Sequence, residues 1–119
     1  MKALRVLVVD DDALIGMLLA EMLEEMGHCV CAIEATEADA VAAAIRCGPD
    51  LMIVDARLGE GSGVSVIEKI FRAWPVPHLL MSGERVQGGR PGAVVLQKPF
   101  LESDLVRAIQ RALDAAAAS

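Results

Sequence analysis

Leu4-Arg5-Val6-Leu7-Val8-Val9-Asp10-Asp11-Asp12 is the stretch whose reading decides the fold. The run Leu4–Val9 is nearly all apolar, too short for a helix and without polar alternation. It therefore reads as a strand buried on both faces. It stops abruptly at three carboxylates. The same signature recurs at Leu51–Val54, which runs into Asp55, and at Val94–Leu96, which is followed by Gln97 and then Lys98-Pro99. In an open parallel α/β sheet, ligands bind outside the carboxyl ends of the strands, where the strand order reverses. The three runs would bring several carboxylates and one ammonium to one sheet edge, a setting suited to a divalent cation and a phosphoryl group.

Helix-period segments fill the intervals. From Ala13 to Met26 the apolar positions Ile15, Leu18, Leu19, Met22 and Met26 recur at helical spacing, with Asp11 or Asp12 as N-cap and Gly27 closing the helix. Cys29–Ile33 reads as a short strand. An Ala-rich helix runs from Thr36, its candidate cap, to Cys47 and ends at Gly48-Pro49. After Asp55 comes a loop with Gly59, Gly61 and Gly63, then a helix from Val64 to Trp74 stopped by Pro75 and Pro77. His78–Met81 and Val94–Gln97 read as strands, and a closing helix from Leu101 to about Ala115 has apolar Leu101, Leu105, Ala108, Ile109 and Leu113 before a fraying tail. The β-α alternation predicts a parallel sheet with helices on both faces. The interval Gly83–Ala93 holds four glycines and a proline, which predicts a loop or one helical turn in place of a helix.

The chain has 119 residues, fit for one compact domain over residues 1–119. Net charge is −6, from 11 basic and 17 acidic residues, and no basic cluster stands out. Nucleic-acid binding is therefore not expected. No apolar stretch approaches the ~20 residues of a membrane helix, so a cytoplasmic protein without membrane contact is expected. Three cysteines, Cys29, Cys31 and Cys47, form no disulfide framework and read as small buried hydrophobes. His28 and His78 have no metal-ligand spacing to a cysteine.

With Val8-Val9-Asp10-Asp11-Asp12, Ile53-Val54-Asp55 followed by Gly63, Leu80-Met81-Ser82-Gly83 and Lys98-Pro99-Phe100, the whole chain resembles the CheY-like receiver domain of two-component response regulators. A lone Asp after a strand is ordinarily a helix cap, a lone Lys before Pro a surface residue, and Ser82-Gly83 a turn. Four such motifs in order, each at a strand end, are specific. The resemblance implies a flavodoxin-like, doubly wound, five-stranded parallel sheet with strand order 2-1-3-4-5. It implies Asp55 as the phosphoacceptor, a Mg2+ site of Asp10, Asp11, Asp55 and the backbone carbonyl of Arg57 in which Asp10 holds one of the metal's waters, and Lys98 and Ser82 contacting the phosphoryl group. It also implies a cis peptide before Pro99. Arg57 and Glu84 match positions that tune phosphate lifetime, and their opposite charges suit a pair across the site.

The sequence departs from the family in three ways. Gly59 stands where most receivers have proline. Val95 occupies the usual aromatic switch position. The helix after Ser82 is shortened or replaced by a loop. The last feature, with Lys98-Pro99-Phe100, partly resembles the stand-alone receivers called FAT GUY regulators. The implied function is that of a phosphorelay receiver, charged by a histidine kinase or histidine phosphotransfer protein. It would act on a downstream protein partner or as a phosphate sink, as a monomer or weak dimer and without enzymatic turnover. Two alternatives are a pseudo-receiver that binds partners without phosphate, and a haloacid-dehalogenase-like phosphatase built on Asp10-x-Asp12. The second has Leu14 where that motif carries Thr or Val, and it leaves Asp55 without a role.

Overall fold

In the computed structural model, which describes residues 2–73, 75–83 and 93–118, the apolar runs are strands. They are β1 (Arg5–Val9), β2 (Cys29–Glu34), β3 (Leu51–Asp55), β6 (His78–Ser82) and β7 (Val95–Gln97), in one parallel sheet of order β2-β1-β3-β6-β7. This is the expected 2-1-3-4-5 order, since β4 (Arg57–Leu58) and β5 (Gly61–Ser62) lie outside that sheet as a small antiparallel hairpin. The helices are α1 (Ala13–Glu25), α2 (Glu37–Cys47), α3 (Gly63–Ala73) and α4 (Glu102–Ala117).

Strand alternation builds two cores. Val6, Val8, Leu51, Ile53, Leu79 and Met81 face Leu19 and Leu23 of α1 and Leu105, Ala108 and Ile109 of α4. Leu7, Val9, Met52, Val54 and Leu80 face Ala40, Ala43 and Ala44 of α2 and Val66, Ile67 and Ile70 of α3. A strand buried on both faces has no polar alternation, which is why the runs are continuous.

Several local expectations are corrected. The buried stripe of α1 is Gly16, Leu19, Ala20 and Leu23, whereas Leu18 is 51% exposed beside exposed Leu14 and Met17. This helix is apolar on more than one face, so periodicity does not select the buried one. Gly16 belongs to the stripe because a Cβ there would lie 3.0 Å from Ile33 of β2. Leu101 caps α4 from outside and is exposed, and the helix continues through Ala117. Asp104 reaches back to accept the Leu101 amide at 2.9 Å, so the end is held from within its first turn. Cys29 is exposed, not buried, while Cys31 and Cys47 are half-buried. The three-glycine loop carries the β4–β5 hairpin. Trp74, Glu84 and most of the Gly83–Ala93 interval lie outside the described residues.

Candidate functional site

Four parallel strands end at one edge, and each delivers a polar group there. Asp10 follows β1, Asp55 is the last residue of β3, Ser82 is the last of β6, and Lys98 follows β7. Asp10, Asp55 and Ser82 are buried. The register pairs Asp55 with Met81 and Ser82 with Gln97, so the ends are level across the sheet. Backbone hydrogen bonds continue past the strands. Ala56 donates to the Met81 carbonyl at 2.9 Å and Lys98 to the Ser82 carbonyl at 2.8 Å.

The acidic triplet divides its work. Asp12 is the N-cap of α1, its Oδ1 accepting from the amides of Leu14 at 3.0 Å and Ile15 at 3.3 Å. Asp10 turns inward. Its Oδ1 accepts the Asp12 amide at 2.8 Å, while its buried Oδ2 has no hydrogen-bond partner among the described residues and lies 3.6 Å from Lys98 Nζ. Asp11 is exposed at the rim, and oxygens of Asp10, Asp11 and Asp55 lie within 4.8 Å of one another.

Asp55 is held from two sides. Its Oδ2 accepts Lys98 Nζ at 2.8 Å and its Oδ1 accepts the Arg57 amide at 3.0 Å. Behind it, α3 begins against the strand. The Gly63 amide donates to the Ala56 carbonyl at 3.0 Å, and a Cβ on Gly63 would lie 2.1 Å from the Asp55 carbonyl oxygen. Gly59 turns the hairpin with φ +56°, a conformation glycine adopts at no steric cost. The Lys98-Pro99 peptide is cis.

The charges are unbalanced. Burial pushes the Asp10 carboxyl above its usual range, and the field of Asp55 adds to this against the Asp12 amide and Lys98. For Lys98, burial pulls the ammonium down, but its hydrogen bond to Asp55 and the fields of both aspartates outweigh this and raise it. Among the described residues, one ammonium thus faces three carboxylates. The set is made of hard oxygens with no imidazole or thiolate, which suits Mg2+. The Oδ2 of Asp10, which has the Lys98 charge nearby but no hydrogen bond among the described residues, is the kind of atom a cation would satisfy, so the residues fit the metal.

Among the remaining expected residues, Arg57 begins β4 beside the site, and Val95 is 40% exposed on β7, lining a groove with Lys98, Arg107 and Arg111. Glu84, and with it any pairing to Arg57, lies outside the described residues. Sequence reasoning missed Glu37. Its Oε2 accepts the Ser62 amide at 2.8 Å, and its Oε1 accepts Ser65 Oγ at 2.8 Å and Lys69 Nζ at 3.0 Å. No motif marks it, since its partners are 25 to 32 residues away.

Residues 6–110 match the family described as the response regulator receiver domain. The transcriptional regulatory protein PdtaR of Mycobacterium tuberculosis is 36% identical over 115 residues, covering 92% of this chain and 56% of that protein. The phyllosphere-induced regulator PhyR of Methylorubrum extorquens is 31% identical over 117 residues, covering 93% and 44%. The solution structure of the PhyR receiver domain of Erythrobacter litoralis is similar with a TM-score of 0.84 at 30% identity, covering 96% and 92%. The chain spans about half the length of these two curated relatives. Among the described residues, no helix is long and apolar enough to cross a membrane.

Proposed function

The chain belongs to the response regulator receiver domain family, and from that membership we propose that residues 1–119 act as one receiver domain that takes a phosphoryl group on Asp55. The donor is a phosphohistidine of a histidine kinase or histidine phosphotransfer protein. The observation that carries this reading is the contact of Asp55 Oδ2 with Lys98 Nζ at 2.8 Å, inside a cluster of three carboxylates.

The chemistry follows from the groups present. A carboxylate oxygen of Asp55 forms a bond to phosphorus while the phosphorus–nitrogen bond breaks and imidazole leaves with the electron pair. The barrier is mainly charge repulsion between the carboxylate and the phosphoryl oxygens. Lys98 offsets part of it as a point charge that both aspartates keep protonated. Mg2+, held by Asp10, Asp11, Asp55 and the Arg57 carbonyl, supplies further positive charge when bound. Ser82, at the end of β6, donates its hydroxyl to a phosphoryl oxygen. Arg57 and Glu84 set how long the acyl phosphate survives, and Val95 takes the switch position without an aromatic ring.

The protein completes one acceptance and one hydrolysis per cycle, without turnover of a free substrate. It works in the cytoplasm, as a monomer or weak dimer, through a downstream protein partner or as a phosphate sink. A receiver that binds partners without phosphate would tolerate a gap in this set, and each of the four strand ends carries its polar group.

Intact mass after incubation with acetyl phosphate and Mg2+ tests the proposal. One phosphoryl adduct is expected on the wild type, none without Mg2+ and none on Asp55→Asn. An adduct that survives in Asp55→Asn would overturn the assignment of the acceptor. Steady release of phosphate from a phosphomonoester, far beyond one equivalent, would favour a phosphatase instead.

A further inference from the structure

The hairpin that follows Asp55 is too small to hold itself. It has two residues in each strand, Arg57-Leu58 pairing with Gly61-Ser62, and even a longer isolated two-stranded hairpin is marginal in water. Yet its first residue has two site duties. The Arg57 amide donates to Asp55 Oδ1, and the Arg57 carbonyl belongs to the proposed cation site. Something outside the hairpin must fix it.

The far strand is fixed by Glu37, the first residue of α2. Glu37 Oε2 accepts the amide of Ser62, the residue directly opposite Arg57. Ser62 in turn caps α3, its Oγ accepting the Ser65 amide at 3.0 Å. The Ser65 hydroxyl and the Lys69 ammonium then close on Glu37 Oε1. Both oxygens of one carboxylate are thus used on one short segment. Gly61 is shaped to the same contact, because a Cβ there would lie 2.2 Å from Glu37 Oε2. The carboxylate also sits where the start of its own helix, and that of α3, favour negative charge. A continuous chain of contacts runs from α2 through Ser62 and Arg57 to the Asp55 carboxylate.

We propose that Glu37 is a positioning residue for the cation and phosphoryl site, acting through the hairpin that presents Arg57 to Asp55. The inference rests on the receiver reading above and deepens it. Glu37 touches none of the reacting atoms. Its removal loosens the Arg57 carbonyl and amide without deleting a ligand.

The test is the Mg2+ affinity of the full chain, followed by amide NMR shifts of Arg57 and Asp55 during MgCl2 titration, alongside the melting temperature without Mg2+. Supporting residues around metal ligands typically change affinity 10-fold or more. Glu37→Ala is expected to weaken Mg2+ binding by ~10-fold and to speed hydrogen exchange at Ser62. Glu37→Gln keeps one acceptor oxygen for the Ser62 amide, so it should recover part of the affinity and of the protection. Asp39→Asn, which removes a like charge from the same turn of α2, should leave affinity near wild type. Equal weakening by Glu37→Ala and Asp39→Asn would reduce Glu37 to a distant field effect and overturn the inference. Unchanged affinity in Glu37→Ala would do the same, and so would unchanged affinity in Glu37→Gln if the alanine variant fails to fold. A wild type that takes up no Mg2+ at all would overturn the receiver reading itself, and this inference with it.

Discussion

Asp10 shows at the scale of one residue what the site costs. Asp10 is 1% exposed, one of its carboxylate oxygens has no hydrogen-bond partner among the described residues, and Asp55 faces it with a like charge. Burial without a full set of partners is unfavourable, and sites built for function carry such groups because a ligand compensates for them. Asp10→Asn should therefore raise stability in EDTA by about 1 kcal/mol, while erasing most of the melting-temperature gain that Mg2+ is expected to give the wild type under the proposed function. Urea unfolding with EDTA and with Mg2+ reads both effects. A variant less stable than wild type in EDTA would contradict this account of Asp10. The triplet also shows how far residue types alone reach. Three consecutive aspartates after a strand announce a site, but caps, ligands and rim residues share one chemistry. That Asp12 caps α1 while Asp10 turns inward depends on where the chain bends after Val9.

Elements meet the site mainly through β3 and α3. The helix starts so close to the strand that its first residue has no room for a side chain, since a Cβ on Gly63 would press on the Asp55 carbonyl oxygen. Backbone cannot swing aside as a side chain can. Gly63→Ala should thus cost about 3 kcal/mol, the upper end of overpacking, and should displace Asp55, lowering the phosphoryl adduct that the proposed function expects there. Thermal unfolding and the phosphoryl adduct measured together check this. A variant of wild-type stability would mean that the contact relaxes. The central strands β1, β3 and β6, which bury both faces, were legible from composition alone. The buried face of α1 was not, because Leu14, Met17 and Leu18 are as apolar as Leu19 and Leu23. Hydrophobicity marks a helix as amphipathic only when one face is polar. The hairpin was hidden for a different reason. Its strands are shorter than any periodicity can register, and glycine spacing announces turns without saying what they connect.

For the whole molecule, stability should follow pH in a way that singles out the tie between α2 and α3. The hydrogen bond from Ser65, those from Lys69 and Ser62, and the Lys69 charge bring the Glu37 carboxyl down from its ordinary value of 4.5 to about 2. A lowered value in the folded state means stability that is present above about pH 4.5 and lost as the pH falls towards 2. The gap in stability between wild type and Glu37→Gln should accordingly be largest near neutrality, at about 1 kcal/mol after solvent screening. It should close through that acidic window. Asp10 works in the opposite sense, because its carboxyl is raised and protonation relieves it. Both proteins contain Asp10, so its contribution cancels in the difference. Urea titrations of the two proteins from pH 6 downward test the prediction. A gap that stays constant with pH would show that Glu37 contributes packing and not charge.

The sequence by itself determined the architecture and which polar residues meet at one edge of the sheet. Apolar runs set strands that must be covered on both faces, and a parallel sheet sends every strand end to the same edge. Asp10, Asp11, Asp55, Ser82 and Lys98 are gathered there by topology, before any side-chain detail is known. Tertiary structure decided what depends on distance between remote segments. It chose which face of α1 is buried, which aspartate caps and which turns inward, and that Glu37 holds the turn after Asp55. The contacts of Glu37 join residues 25 or more positions apart, and each is one of many that the same residue types could make. Local pattern carries periodicity, but it does not carry the geometry with which two helices and a hairpin close on one carboxylate.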